Sequence, residues 1–468
     1  MLKFVILFVI SIFKIIYSIK LLPSPTLIPK IGSLNFIYAS ITNQVVPFLL
    51  KTENELGNMF FVTTGPISQI WCSDINKISD LYKKYECSGR SQLKDSVFGD
   101  DFLFLKRDPY EAKAIKVKQK SFLDKKSTIF AVSKAVDTVN ISEIISMTIQ
   151  RTRTKTGSSL SSSSNYSSKT INTNGDSIHW PKEMISIASF SALIELYLGS
   201  QPLTSEEISL LLTAVAGYRK RGLGIVDKIQ EIISNLLGNQ EKKLNYTETI
   251  THLLSKAVLR SNAKKEEVLS LLVSATVGGS EIFPLLFQWI VLRMAVDTQT
   301  QDILYQELQL RQSLGKKTIT FGPLMQSCIS ACSLDCPVSA AIGPPRKIIQ
   351  DFEYEEYAFP KEAIVFAMHP GLKNSPHIPT EGEDVDDDYR WPIDLNTEGS
   401  WPMFGTGSRS CCASQQSLNF LSAMLASIVN DYKWEVADKN DIKTMFLYEE
   451  DGSLLIPLKD IKLKFTKR

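Results

Sequence analysis

Apolar residues run almost unbroken from residue 2 to residue 22, and Lys14 is the charge nearest the middle of this stretch. A helix of about 20 apolar residues crosses a bilayer, and a lysine stem is long enough to reach the headgroups. The pattern therefore predicts a membrane anchor at residues 1–21. A cleaved signal peptide and a buried core helix are the alternatives, but no small-residue cleavage site follows. Instead, three prolines within residues 22–32 predict a stiff, non-helical hinge.

A second apolar stretch lies at residues 269–292, inside a largely helical region. Its length alone would permit another membrane span. Two adjacent glycines, a glutamate and Pro284 within it are more typical of a helix inside a large domain. We therefore expect a long, buried central helix here.

The remaining patterns predict one mainly α-helical domain with a minor β component at residues 33–468. A Ser/Asn-rich tract at about residues 154–176 cannot bury a core and predicts a surface insertion. The other predicted elements are helices in residues 75–150, two strands joined at Gly65-Pro66, an extended region at residues 337–368, a final helix at residues 414–432 and a hairpin near residues 450–452.

Composition narrows the class of protein. The chain has 468 residues, 44% of them apolar, and a net charge of +2, which indicates a globular protein and gives no sign of nucleic-acid binding. Its seven cysteines are few and odd in number, which argues against a disulfide scaffold and for a reducing compartment.

Residues 404–413 read FGTGSRSCCA and carry the main chemical signal. The two glycines allow a tight backbone path, and a cysteine at the start of the following helix is favoured as a thiolate by the helix dipole. Such a thiolate is a good axial ligand for heme iron. Arg409 could pair with a heme propionate. Cys412 competes with Cys411 as the ligand, and a purely structural loop is the alternative.

The spacing of Phe404, Gly407, Arg409 and Cys411 resembles the signature of the cytochrome P450 family. The resemblance implies the family fold, with a long central helix and a helix after the heme loop. It also implies heme b held through Cys411, and no flavin or NAD site in this chain. Arg346, in the sequence PPR, stands where members often place a propionate-binding arginine. The anchor, the first strands and the segment YAFPKEAIVFAMHP are similar to the family in the same order.

The central helix departs from the family pattern. Matching on Trp289 places Gly278 and Gly279 on the family's small-residue pair beside the heme, and Glu281 on its acid. Ile282 then replaces the threonine that would orient oxygen, and isoleucine has no hydrogen-bond donor.

Two other family features are missing. Ala331 and Leu334 stand where the family's Glu-x-x-Arg pair belongs, so Arg390 of the meander would lack its partners. Ala114 stands where a helix usually supplies an arginine to the heme. Nearby, Cys328, Cys332 and Cys336 recur at helical spacing, which suggests either a metal or redox site, or small side chains that fill a semi-buried face.

The resemblance implies a monooxygenase that oxidises a lipophilic small molecule with O2 and with electrons from an NADPH-dependent flavoprotein reductase. It would be anchored in the endoplasmic reticulum membrane, with its main domain in the cytosol. The missing features favour an alternative, a catalytically inactive heme-binding or heme-free descendant that acts as a non-enzymatic membrane protein. A third possibility is a heme-thiolate protein that rearranges a peroxide without a reductase. The reduced carbon monoxide difference spectrum distinguishes the first two.

Overall fold

The computed structural model describes most of the C-terminal third of the chain and separate parts of the remainder. The described residues are 33–64, 67–84, 114, 117, 132, 141–157, 176–198, 279, 282–314, 322–343, 345–355, 357–374, 393, 403–407, 410–451, 454–458 and 460–468. The predicted anchor at 1–21, the hinge at 22–32 and most of the Ser/Asn-rich tract lie outside them. Within the described residues, no helix combines the length and the apolarity that a bilayer crossing requires.

Helices account for most of the described structure, as the sequence predicts. The final helix begins and ends within one residue of the predicted bounds. The helices are α1 (Leu34–Ile41), α2 (Val45–Leu56), α3 (Ile75–Lys84), α4 (Ile141–Gly157), α5 (Lys182–Leu198), the central helix α6 (residues 282–295), α7 (Thr298–Ser313), α8 (Pro323–Asp335), the short α9 (Gly371–Asn374) and α10 (Ser414–Asp431).

Carboxylate side chains accept hydrogen bonds from backbone N–H groups at the N-terminal ends of α7 and α8. Asp297 is the N-cap of α7, where its carboxylate accepts from the Thr300 backbone N–H over 3.1 Å. The carboxylate of Glu307, on α7, accepts from two backbone N–H groups in the first turn of α8. Both carboxylates lie where the helix dipole favours negative charge.

The main sheet has the strand order β1-β2-β7-β4. Strands β1 (Met59–Thr64) and β2 (Ile67–Cys72) form the predicted antiparallel hairpin around Gly65-Pro66. Strand β7 (Ile364–Ala367) runs parallel to β2, and β4 (Arg346–Lys347) pairs antiparallel with β7 so that Arg346 lies opposite Val365.

Smaller sheets complete the β structure. Strands β5 (Phe352–Tyr354) and β6 (Tyr357–Phe359) form one pair, and β9 (Tyr448–Asp451) and β10 (Leu454–Pro457) form the predicted second hairpin. A third sheet has the order β3-β11-β8. In it β11 (Lys462–Lys467) pairs with β3 (Asp176–His179) on one side and β8 (Tyr432–Val436) on the other.

The central helix and α10 form the middle of the largest hydrophobic core. Phe287 and Trp289 are almost fully buried, and the Trp289 indole N–H donates to the Leu455 carbonyl over 3.0 Å. The rings of Phe283 and Phe420 join the two helices at a centroid distance of 5.1 Å. The prediction of a buried central helix is therefore confirmed over residues 282–295.

Candidate functional site

The loop before α10 has the tight backbone path that its glycines predict. Gly405 and Gly407 have φ angles of +74° and +70°, in the left-handed region that favours glycine. The Cys411 backbone N–H donates to the Phe404 carbonyl over 2.8 Å, and the Ser410 N–H donates to the Gly407 carbonyl over 3.2 Å. These bonds fold the loop back on itself and hold the cysteine close to its first residue.

Gly407 is also required by close packing. A Cβ added there would lie 2.8 Å from the backbone oxygen of Tyr82, which is closer than real Cβ atoms come to backbone atoms. At Gly405 the corresponding nearest atom is 3.8 Å away. The loop is therefore pressed against the end of α3 at Gly407, and only glycine satisfies both the space and the φ angle.

The two adjacent thiols of the loop have different surroundings. Cys412 keeps 9% of its surface and belongs to the main hydrophobic core, whereas Cys411 is partly exposed. Cys411 stands just ahead of α10, whose N-terminal dipole favours an anion there. A ligand thiolate needs an open side for its metal, and Cys411 is the more exposed of the two thiols.

Arg346 lies beside this loop. Its side chain is buried, and Nη2 donates to the Thr406 carbonyl over 2.5 Å. The guanidinium also lies over the ring of Tyr82 at 3.6 Å from the centroid, a cation–π contact. The cation that the sequence singled out is thus adjacent to the cysteine loop, although 65 positions separate Arg346 from Cys411 in the chain.

Tyr82 is a residue that the sequence reasoning did not single out. Its ring holds Arg346 and its carbonyl oxygen excludes any side chain at Gly407. It is buried, and its hydroxyl donates to the Val365 carbonyl over 3.4 Å. A tyrosine in an amphipathic helix gives no local signal of such a role, because the contact depends on how α3 packs against the main sheet.

The other predicted site residues are placed unevenly. Gly278, Glu281 and Arg409 lie outside the described residues. Gly279 is buried, and an added Cβ would lie 2.6 Å from the side chain of Leu193 on α5. The end of the Leu193 side chain would therefore have to move to admit a side chain at position 279.

The structure also shows the surroundings of the positions at which family residues are missing. Ile282 is half-buried and packs against the main core. On α8, Ala331 is buried and Leu334 half-buried, so apolar packing occupies the positions of the Glu-x-x-Arg pair. Ala114 is itself helical and exposed.

The three cysteines of α8 are core residues. Cys328 and Cys332 are fully buried and Cys336 keeps 2% of its surface, so they are more deeply buried than the sequence predicted. Burial raises the pKa of Cys332 and Cys336, and a hydrogen bond with Cys328 adds to the effect at Cys332. Among the described residues no group of three His, Cys, Asp or Glu side chains could hold a metal ion. Small buried side chains therefore describe this face of α8 better than a metal site.

Solved structures share this architecture. A zebra fish cytochrome P450 with abiraterone superposes with a TM-score of 0.66 at 17% identity, over 90% of this chain and 99% of that one. The cyanobacterial CYP120A1 with retinoic acid bound gives a TM-score of 0.67 at 12% identity, over 96% of this chain and 100% of that one. The fold is that of a cytochrome P450, mainly helical with some strands.

The chain belongs to the cytochrome P450 family, whose sequence profile matches residues 22–465. It is 24% identical over 206 residues to geissoschizine oxidase of Catharanthus roseus, covering 42% of this chain and 40% of that protein. It is 20% identical over 205 residues to carnosic acid synthase of Rosmarinus officinalis, again 42% of this chain and 40% of that protein. These alignments thus span about two fifths of the relatives' length.

Membership of this family implies heme b, with its iron, as the cofactor. The described residues fit such a group. The partly exposed Cys411 would supply a soft ligand, and the buried Arg346 would supply a cation beside the loop. The Thr406 hydroxyl, which is buried and has no hydrogen-bond partner among the described residues, adds a polar atom at the same place.

Proposed function

We propose that this protein is a heme-thiolate monooxygenase that oxidises a lipophilic small molecule. It would use O2 and electrons from an NADPH-dependent flavoprotein reductase. The observation that carries the proposal is the placement of Cys411: a partly exposed thiol that closes a two-glycine loop ahead of α10, next to a buried arginine. Bound heme supplies oxygen activation, which no side chain provides.

The chain's own residues would bind and orient the cofactor. Cys411 would ligate the iron as a thiolate, and Arg346 and Arg409 would neutralise the two propionates. Phe404 and Gly407 would shape the loop beneath the ring. Gly278 and Gly279 would leave room for the ring under the central helix.

Proton delivery is the step of the proposed reaction that this sequence weakens. Glu281 would hold a proton beside the oxygen site, as the acid of the family's acid–alcohol pair. Ile282 has no hydroxyl to pass that proton on, so a water molecule would have to take the place of the alcohol. We therefore expect a low yield of oxidised product per electron pair.

The lipophilic substrate class is supported by the family and by its solved members. Retinoic acid and abiraterone, which those two structures contain, are small lipophilic molecules. The names of the curated relatives, an oxidase and a synthase that makes carnosic acid, agree with chemistry on small organic compounds.

We further propose that the protein is held at the endoplasmic reticulum membrane through residues 1–21, with its main domain in the cytosol. One face of α1 supports this location, because Leu34, Tyr38 and Ile41 are 46%, 66% and 77% exposed and lie at helical spacing. They follow the Pro-rich hinge directly. The buried Phe36 and Ala39 occupy the opposite face, so the exposed stripe is available to lipid.

The proposal is tested by the reduced carbon monoxide difference spectrum of the purified full chain. We expect the Soret band of thiolate-ligated heme in the wild type and in Cys412→Ser, and its loss in Cys411→Ser. The neighbouring Cys412→Ser variant is the matched control for folding. A thiolate-type band that survives in Cys411→Ser would contradict the assignment of the ligand.

A second candidate function is that of an inactive descendant, which either binds heme or only keeps the fold. The apolar residues at positions 282, 331 and 334 and the exposed Ala114 favour it, since each removes a polar group that the family uses. A full chain that takes up no heme when hemin is added during expression and purification would support this candidate and overturn the first.

A further inference from the structure

A buried ion pair joins the central helix to α8. The Arg293 side chain is fully buried, and its Nε donates to Asp335 Oδ2 over 2.9 Å. Asp335 keeps 20% of its side-chain surface exposed. A guanidinium removed from water is strongly unfavourable unless a carboxylate in good geometry offsets the loss of hydration. If α8 slid along the central helix, the buried Arg293 guanidinium would lose its carboxylate partner. The pair therefore fixes the register of the two helices.

Two more buried side chains continue the same line of polar contacts. Asp297 Oδ2 accepts from the Ile393 backbone N–H over 2.8 Å. Gln301 donates to the Trp434 carbonyl over 2.8 Å and accepts from the Trp434 N–H over 3.0 Å. We name Arg293, Asp297 and Gln301 the buried polar brace. Its members recur at every fourth position, from the end of the central helix into α7.

Two of the three links of the brace, those of Arg293 and Asp297, reach segments that adjoin the cysteine loop or its helix. Asp335 follows Leu334, the position at which the family arginine is absent, and α8 packs against α10, the helix that Cys411 precedes. Ile393 is buried and belongs to the chain segment that enters the loop at residue 403. The brace thus contacts both of the segments that the missing Glu-x-x-Arg pair would have joined.

We infer that the buried polar brace replaces the missing Glu-x-x-Arg pair, and that Arg293 and Asp297 are positioning residues for the loop of Cys411. The polar groups that hold α8 and the meander come from the central helix and from the N-cap of α7 instead of from α8 itself. The part of this inference that concerns the cofactor rests on the proposed function. The part that concerns α8 does not.

The link between Arg293 and α8 can be measured without heme. Cys336 is buried and directly follows Asp335, so its reaction with a maleimide reports the opening of this end of α8. In the full chain without added hemin, we expect Asp335→Asn to raise the labelling rate of Cys336 by about tenfold, measured by mass spectrometry. Asp335→Glu keeps the charge and should stay near the wild-type rate.

A matched destabilising variant separates positioning from general loss of stability. Leu463→Ala removes a fully buried side chain from β11, a strand that takes no part in the hydrogen bonds of the brace. The labelling rates of Cys336 in the two variants are compared at temperatures at which equal fractions of each are unfolded. An equal rise in Leu463→Ala, a wild-type rate in Asp335→Asn, or a failure of Asp335→Glu to rescue would each overturn the inference.

The link between Asp297 and the cysteine loop is read in the heme-loaded chain. Asp297→Ser keeps an N-cap oxygen for Thr300 but is too short to hold Ile393 as well. In the reduced carbon monoxide difference spectrum, we expect Asp297→Ser to lower the fraction of bound heme that gives the thiolate-ligated band, at unchanged heme content. Leu463→Ala should leave that fraction unchanged. An unchanged fraction in Asp297→Ser overturns the inference. If the wild type binds no heme, the proposed function fails and the Cys336 rates still decide the α8 link.

Discussion

Single residues decide which parts of the proposed heme-thiolate chemistry this chain can support. Cys411 and Cys412 are neighbours of identical type, yet one is partly exposed and the other lies in the core. Sequence spacing predicts Cys411 as the ligand, and Cys411 is also the more exposed of the two thiols. At position 282 the difference lies in the residue type instead: isoleucine has no hydroxyl, and no packing can restore one.

The Ile282→Thr substitution tests whether that hydroxyl limits the reaction. In the full chain with reductase and NADPH, we expect the fraction of electrons released as hydrogen peroxide to fall several-fold, because a restored alcohol relays protons in the productive direction. Peroxide per NADPH consumed is the measurement.

Val296→Thr is the control for this substitution, since it adds the same hydroxyl to a half-buried position beyond the same helix. It should leave the peroxide fraction unchanged. A peroxide fraction that stays the same in Ile282→Thr, at equal heme content, would show that position 282 does not face the oxygen site.

Contacts between elements show where the chain depends on a neutral histidine. His369 is buried between β7 and α9, and its Nδ1 accepts from the Gly371 N–H over 3.0 Å. Its ring is also hydrogen-bonded to the backbone of Ser333, on α8. Burial lowers its pKa to about 3, because a charged imidazole would lose its hydration there.

This lowered pKa predicts a dependence of stability on pH. Above pH 6.5 the imidazole is neutral in both folded and unfolded chains, so it adds no pH dependence. Between pH 6.5 and about 3 only the unfolded chain takes up the proton, so stability falls with falling pH. Denaturant unfolding at several pH values should show a contribution of about 1.4 kcal/mol per pH unit from this residue in that window.

His369→Gln removes this contribution while keeping a side chain that can accept a hydrogen bond, so its stability should vary less with pH. His179→Gln, at an exposed position of β3, is the control and should retain the wild-type slope. A wild-type slope in His369→Gln would mean that the buried imidazole is not the group responsible.

The elements differ in how far the sequence alone predicts them. The β1–β2 hairpin, α10 and the β9–β10 hairpin were predicted correctly, because each is specified by residues close together in the chain. The Arg293–Asp335 pair was not predicted, since it joins residues 42 positions apart and neither has an unusual local context. Likewise, the loop sequence indicates a tight backbone path but cannot indicate that Tyr82 packs against Gly407.

At the scale of the whole molecule, the proposed membrane attachment has two separable parts. Flotation with liposomes should recover the full chain with the vesicles, and deletion of residues 1–21 should release most of it. In the shortened chain, Tyr38→Ser with Ile41→Ser should abolish the remaining binding, because it removes two of the exposed apolar side chains of α1.

The control for surface apolarity is Leu314→Ser in the same shortened chain. Leu314 lies just beyond the end of α7 and is 61% exposed, so the substitution removes a similar side chain from a different surface. Loss of vesicle binding in Leu314→Ser, or unchanged binding after the α1 substitutions, would argue against α1 as the lipid contact.

The pairing of β3 with β11 has a consequence for how the protein is made. β3 is complete before half of the chain has left the ribosome, whereas β11 is among the last segments to be synthesised. The backbone N–H and C=O groups of β3 that bond to β11 therefore lack this partner during more than half of translation. In that time they are open to mispairing and to binding by chaperones. A premature stop codon that removes only the final strand would leave both β3 and β8 without their shared neighbour, and would harm the product far more than its small size suggests.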